Sequence, residues 1–474
     1  MVLKSDIKVI TGIKDWSSDS DKKIPKNAYA PFTLDGVTSY NMGLYKDSGS
    51  HFRTSGYVGV GWIKDYYGNI CRDKDGQKTA IMIQPRFDLN PWEMLVTVMG
   101  DAEYDKYISA KDDFFEIHPE EPFIPVEGGG IGGVFLAMLS FLKECERACR
   151  KRVKRDMSFH ESNLNGHVIG NIQVAKHIKY NLTQAREDRI YCRYPVFTVD
   201  TIENRIMKCT LKKVRKELRS KRFSNEVMNR LLNYCEASLK DVKDIKISRS
   251  DFNRISVTGF NSYYKKAMDL AKIVLYSGNS NDLTENDGAE QSYVMPYTIN
   301  METLFEFYVR TMLKKTLAKH PDYHLRLDEY RTPKENPLKT IKNGSDEAYL
   351  MPSYIPDIAL IDTSDSQERY VAVYDVKYQR STRAYFKNTR RHNTHQLLFY
   401  TLLLNVKECG FIFPTDRKEG VANDEGKGYE LNIVEGDAMD ESRREYSQWE
   451  VRTEKDDKAG FAKRMLEYVK HSEE

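Results

Sequence analysis

The sequence holds no run approaching the roughly 18 apolar residues a membrane-spanning helix needs. Its opening, Met1 to Gly12, lacks the apolar core of a secretion signal. These absences predict a soluble, cytoplasmic protein with no membrane role. Cysteine is sparse and scattered. Among the seven, Cys71, Cys145, Cys149, Cys192, Cys209, Cys235 and Cys409, only Cys145-x-x-x-Cys149 comes near metal-ligand spacing, and no second pair accompanies it. They read as reduced thiols. A charge bias is lacking too: 73 Lys and Arg face 70 Asp and Glu, for a net +3. Partners must therefore be argued from local clusters, not from the total. No Gly-Lys-Ser/Thr follows the glycine run Gly128 to Gly133, so a nucleotide-binding P-loop is excluded. The run reads as a turn into the next helix. What is present, 474 residues with 40% hydrophobic and 11% aromatic content, suffices for two to four packed domains.

The most informative stretch is Tyr354 to Tyr400. Ile355 to Ile361 and Tyr370 to Tyr378 are apolar, β-branched and aromatic, with a polar loop between, and read as paired strands. Asp357 interrupts the first, and Asp375 and Lys377 the second. Burying such groups is costly unless they pair or bind a metal. Asp375 and Lys377, two apart, share a strand face that Asp357 on the neighbouring strand can reach. Two carboxylates plus the Val376 backbone carbonyl suit a hard cation such as Mg²⁺, with Mn²⁺ as the alternative. Lys377 is placed to orient or deprotonate a water and to stabilise growing negative charge. Pro-Asp followed by Asp-x-Lys resembles the core of the PD-(D/E)XK nucleases. That resemblance implies a helix-borne acid upstream, met by Glu306 in a helical stretch from Asn300 to Lys319. It also implies a Gln-x-x-x-Tyr on the following helix, met by Gln396 and Tyr400 within Thr389 to Val406. Cys409 to Pro414 reads as a closing strand. The bland reading is a non-catalytic α/β domain with salt-bridged acids.

Elsewhere, residues 1 to about 125 are predicted to be β-rich. Tyr57 to Ile63 and Thr79 to Phe87 form a hairpin of a small barrel or sandwich, and a short helix starts at Pro91. Residues 126–288 are mixed α/β and mainly helical. Val134 to Lys154 is a helix ending in the basic cluster Arg147, Arg150, Lys151, Arg152, Lys154 and Arg155. That end is either a solvated terminus complementing the helix dipole or a contact for DNA phosphates or an acidic partner. Arg189 to Phe197 is a strand. A helix with a basic face runs from Asp200 or Thr201 to about Lys221, and helices follow at Phe223 to Ala237 and Tyr263 to Ser277. Gly278 to Gly288 reads as a linker. Residues 289–474 form the α/β nuclease core. Added strands lie at Gly428 to Glu435 and Gln448 to Arg452, Asp416 to Lys427 is a polar loop, and a helix closes the chain from Lys458 to His471.

Beyond that core, the chain resembles the McrC family, the nuclease subunits of McrBC-type modification-dependent restriction systems. The resemblance rests on Val60-Gly61-Trp62-Ile63, Gln84-Pro85-Arg86-Phe87, Asn165-Gly166-His167-Val168, the helix start Asp200 to Lys208, and Leu304-Phe305-Glu306. It implies a Mg²⁺-dependent endonuclease acting on double-stranded DNA. It also implies a AAA+ motor partner hydrolysing GTP or ATP, on which the N-terminal half docks. Two rivals stand beside it: a stand-alone nuclease of the same core, and a scaffold or activator of the motor with little nuclease activity.

Overall fold

The computed structural model describes residues 6–18, 24–32, 41–87, 89–101, 114–127, 132–220, 226–276, 291–328, 339–342, 346–349, 356–364, 368–379, 391–414, 429–432, 443–451 and 460–473. The linker at 278–288 and the loop at 416–427 lie outside them. The chain divides into two compact units, one of Met1–His118 with Pro296–Glu474 and one of Pro119–Met295. Residues at the two ends of the chain thus share a unit.

The first unit opens with β1 (Ile7–Lys14), β2 (Tyr57–Trp62) and β3 (Lys78–Gln84), then α1 (Pro91–Met99) and β4 (Phe115–Ile117). The hairpin read from the sequence is present: β2 and β3 pair antiparallel, Gly59 opposite Ile83. The expected barrel or sandwich is replaced by an open five-stranded sheet. Its order is completed by β1, parallel to β3, and by a strand from after residue 296. Neither pairing is local, so neither leaves a mark in the sequence periodicity. Asn90 caps α1, its side chain accepting from the Trp92 and Glu93 amides.

The second unit runs from β5 (Ile124–Glu127) through α2 (Gly133–Lys151), β6 (Asp156–Asn165), β7 (Asn171–Ile172), α3 (Val174–Tyr180), β8 (Arg189–Thr198), α4 (Ile202–Ser220), α5 (Glu226–Ser238) and α6 (Lys265–Tyr276) to β9 (Gln291–Val294), which pairs with β5. At the end of the glycine run, a Cβ on Gly133 would lie 2.6 Å from the Met295 carbonyl. Only glycine admits that approach. The apolar half of α2 (Leu136, Leu139, Phe141, Leu142) is buried against α5 and α6, and the helix stops one turn before Lys154. The helix-cap choice falls on Thr201, whose Oγ1 accepts the Asn204 amide at 3.3 Å. The basic face of α4 is structural. Arg205 pairs with Asp200 and Arg215 with Glu236. Lys208 donates to the Leu239 and Val242 carbonyls, and Lys213 to that of Leu275. These amines close the carbonyl ends of α5 and α6.

The chain returns to the first unit with β10 (Tyr297–Asn300), which pairs with both β2 and β4. Asn300 caps α7 (Met301–Lys319), accepting the Glu302 and Thr303 amides. Then come β11 (Leu325–Leu327), β12 (Ile358–Asp362), β13 (Arg369–Val376), α8 (Arg391–Leu403), β14 (Glu408–Pro414), β15 (Tyr429–Asn432), β16 (Arg443–Val451) and α9 (Gly460–Glu473). The six-stranded sheet has the order β11-β12-β13-β14-β16-β15. β12 and β13 are antiparallel, as their spacing predicts, while β13 runs parallel to β14 and β14 to β16. A crossover such as α8 is what joins parallel neighbours. It lays Leu397 and Tyr400 on Val373, Phe411 and Phe413. The added strands of the sequence reading extend this sheet, and α9 buries Phe461, Met465, Leu466 and Val469 as its spacing predicts. The chain is thus mixed α/β. Among the described residues, no helix is long and apolar enough to cross a membrane.

Candidate active site

The incongruous acids of β12 and β13 meet at one end of the six-stranded sheet. The register pairs Ile358 with Tyr374, which sets Asp357 and Asp375 side by side just beyond. Asp357 Oδ2 accepts the Val376 amide at 2.8 Å, so this carboxylate ties the strand ends together. Asp375 is 1% exposed. Its Oδ2 forms an ion pair with Lys377 Nζ at 2.8 Å. Lys377 sits one residue past β13, its amide donating to the Ile412 carbonyl at 3.0 Å.

Glu306, on the second turn of α7, belongs to the same electrostatic group. Burial, then the Glu306 and Asp375 carboxyls, push Asp357 well above the ordinary carboxylate range, with Lys377 opposing. Burial acts to lower the Lys377 amine, but Asp375, Asp357 and Glu306 outweigh it and hold its pKa above the usual lysine value. On α8, Gln396 Nε2 donates to the Tyr400 hydroxyl at 3.0 Å. Burial raises Tyr400, and among the smaller causes are Asp375 and Asp357. The six side chains singled out in the sequence therefore converge on one locality from α7, β12, β13 and α8.

Three residues were missed by sequence reading. Arg310, one turn after Glu306, is 5% exposed and donates to the carbonyls of Asp357 and Asp328. Its guanidinium fixes the backbone from which Asp357 projects. Arg86, beyond β3, donates to the carbonyl of Tyr378, next to Lys377, and stacks on the Tyr378 ring with 5.3 Å to the centroid. Asp15 is buried, accepts the Arg86 amide at 2.5 Å, and is pushed up by burial to about 6. The i+4 offset from Glu306 was a signal for Arg310. Arg86 was visible only as part of a strand-end motif, and Asp15 carried no signal.

The donor set fits a divalent cation. It consists of hard carboxylate oxygens, those of Asp375 buried, in a group whose mutual repulsion a cation relieves. A separate trio of possible ligands lies close together elsewhere: the sulfurs of Cys145 and Cys149 of α2 and Cys235 of α5, all buried and all free thiols, lie within 4.8 Å of one another. The sequence spacing showed only the first two.

A search of curated proteins finds no match. Among solved structures, the chain is similar to a chain of a refined half-complex from the tetradecameric assembly of Thermococcus gammatolerans McrB AAA+ hexamers with bound McrC. The identity is 12%, over 94% of this chain and 90% of that one, with a TM-score of 0.38. It is also similar to a chain of the cryo-EM structure of the Thermococcus gammatolerans McrBC complex, at 14% identity over 56% of this chain and 68% of that one, with a TM-score of 0.28. A family model described as the McrBC 5-methylcytosine restriction system component matches residues 134–414. That span is more than half of the sequence and takes in every residue of the acidic site, and the chain belongs to that family.

Proposed function

We propose that the chain is the nuclease subunit of its restriction system, a metal-dependent endonuclease hydrolysing phosphodiester bonds of double-stranded DNA. The observation that carries this reading is the meeting of Asp357, Asp375 and Lys377 on adjacent strand ends, with Glu306 facing them from α7. The element order α7, β11, β12, β13, α8, β14, with an added pair of short strands (Lys339–Lys342 and Asp346–Tyr349) between β11 and β12, is consistent with a PD-(D/E)XK core. Asp357, Asp375 and the Val376 carbonyl would hold Mg²⁺ or Mn²⁺, with Glu306 as a further acid. Bound there, the ion supplies Lewis acidity to the scissile phosphate and a lower pKa for a water. Lys377, kept protonated by its acidic neighbours, orients the nucleophile by hydrogen bonding and offsets charge developing on the phosphate oxygens. It is a cation in this reading, not the base. Tyr400 and Gln396 donate from α8 toward the acids or a phosphate. Arg310 and Arg86 hold the two strand ends in place.

The family makes a AAA+ motor using GTP or ATP the natural partner, and we assign its docking to the N-terminal half. The hairpin β6–β8 supports this. Its ten residue pairs run from Arg189–Asn165 to Thr198–Asp156. It carries Met157, Phe159, Val196 and Phe197 in exposed positions, Phe197 at 73%. So much apolar surface on one hairpin fits a buried interface in an assembly. The three-part division read from the sequence, at 125 and 288, differs from the two compact units, since residues 1–118 share a unit with 296–474, and the docking we assign here rests on the unit of residues 119–295.

The test is cleavage of a methylated plasmid by the purified chain with Mg²⁺, alone and with the motor and nucleotide. Cutting that needs the motor supports the reading. Cutting without it supports the stand-alone nuclease. Motor stimulation without cutting under either metal supports the scaffold.

A further inference from the structure

The basic residues that close α2 have different fates. Arg147 pairs with Glu144 at 2.9 Å and Arg150 with Glu146 at 2.8 Å. Lys154 is 4% exposed, its Nζ 2.8 Å from Glu203 and donating to the Ser256 carbonyl at 3.0 Å. Lys151, Arg152 and Arg155 are exposed, and among the described residues none of the three has a carboxylate within ion-pair distance. A cavity of about 320 Å³ opens among them and against Phe260 and Tyr263. Phe260 has no cover at all, at 101% exposure, while the Lys151 amine rides over the Tyr263 ring at 4.9 Å.

The backbone under these cations is fixed from below. The Tyr264 hydroxyl accepts the Lys154 amide and donates to Asn204 Oδ1, both at 2.8 Å. Asn204 Nδ2 donates to the Lys154 carbonyl at 2.8 Å, and the Tyr263 hydroxyl to the Arg152 carbonyl at 2.7 Å. Tyr264 and Asn204 are fully buried. Three cations are thus held side by side before any ligand arrives, so binding does not bear the cost of ordering the chain. The acid beside them in sequence, Asp156, turns its Oδ1 to the Met157 amide.

We propose that this cavity binds a DNA strand, with Arg152 and Arg155 on successive phosphates and Phe260 stacked on a base. This rests on the reading of the chain as acting on DNA and adds a contact remote in sequence from the acids. Unpaired guanidinium groups next to an uncovered aromatic face match the two halves of a nucleotide, phosphate and base. An acidic protein surface would use the cations and leave the ring unexplained.

The experiment is fluorescence anisotropy of a labelled single strand and a duplex with the full chain in EDTA, over a range of salt. Arg152→Ala with Arg155→Ala should weaken binding tenfold or more and lower the salt slope by about 2. Phe260→Ala should weaken single-strand binding about tenfold at an unchanged slope. Arg254→Ala, a cation paired with Asp251 and not among the residues lining the cavity, should bind as wild type. Equal melting temperatures exclude misfolding. Wild type that binds no DNA, or cavity variants that bind as wild type, overturns the proposal. So does loss of motor association with DNA binding intact, which would give the patch to a protein partner. The nuclease reading fails separately: Asp375→Ala that still cuts sinks that reading and leaves this binding result untouched.

Discussion

Asp15 shows how a single residue's environment becomes a property of the protein. Burial raises its carboxyl from 3.8 to about 6. A folded-state pKa above the unfolded one means the native state holds the proton more tightly, so this group's contribution to stability falls as pH rises through 6. The ionised carboxyl costs about 3 kcal/mol at pH 7 and roughly half that at pH 5. Asp15→Asn should therefore flatten the rise in stability between pH 7 and pH 5 by about 1 kcal/mol, measured by urea unfolding at both. An equal slope in variant and wild type would contradict the assignment. At this scale the legible residues were those at odds with their neighbours in sequence. Asp357, Asp375 and Lys377 stand out in apolar strands, and Glu306, Gln396 and Tyr400 follow from their offsets. Asp15, Arg86 and Arg310 look like any surface charge, because what buries them comes from distant segments.

At the scale of elements, local pairings were legible and distant ones were not. The β12–β13 and β2–β3 pairs, and helices α1, α7 and α9, follow from alternation, turn residues and helical spacing. The parallel pairing of β13, β14 and β16 brings together segments that no local pattern connects. Gly410 marks this pairing. A Cβ there would lie 2.0 Å from the Ser447 carbonyl on β16. Gly410→Ala should force β14 and β16 apart and destabilise the protein by about 3 kcal/mol, read as a lower urea midpoint. An unchanged midpoint would show that the sheet order is wrong. Of the exposed hairpin β6–β8, only β8 was legible as a strand; β6 and the apolar surface were not, since alternation alone does not say which face meets a core.

At the scale of the whole molecule, the two proposed tasks fall in different compact units. The unit of residues 119–295 carries the exposed hairpin and the basic cavity. The unit built from the two ends of the chain carries the acids. Phe159→Asp with Phe197→Asp should abolish association with the AAA+ motor in gel filtration while leaving melting temperature nearly unchanged, because both rings are mostly exposed and an aspartate at 159 can pair with Arg193, which lies over the Phe159 ring. Persistent association would place the interface elsewhere. Family membership was legible from motifs spread through the chain, whereas the folding-together of its two ends was not. The central claim is that Asp357, Asp375 and Lys377 cut DNA. It is tested most directly by supercoiled-plasmid cleavage with Mg²⁺, motor and nucleotide, comparing wild type with Asp375→Ala. The account predicts metal-dependent cutting by wild type, and a loss of at least about a thousandfold in the variant with motor binding retained. Cutting by Asp375→Ala at the wild-type rate would contradict it.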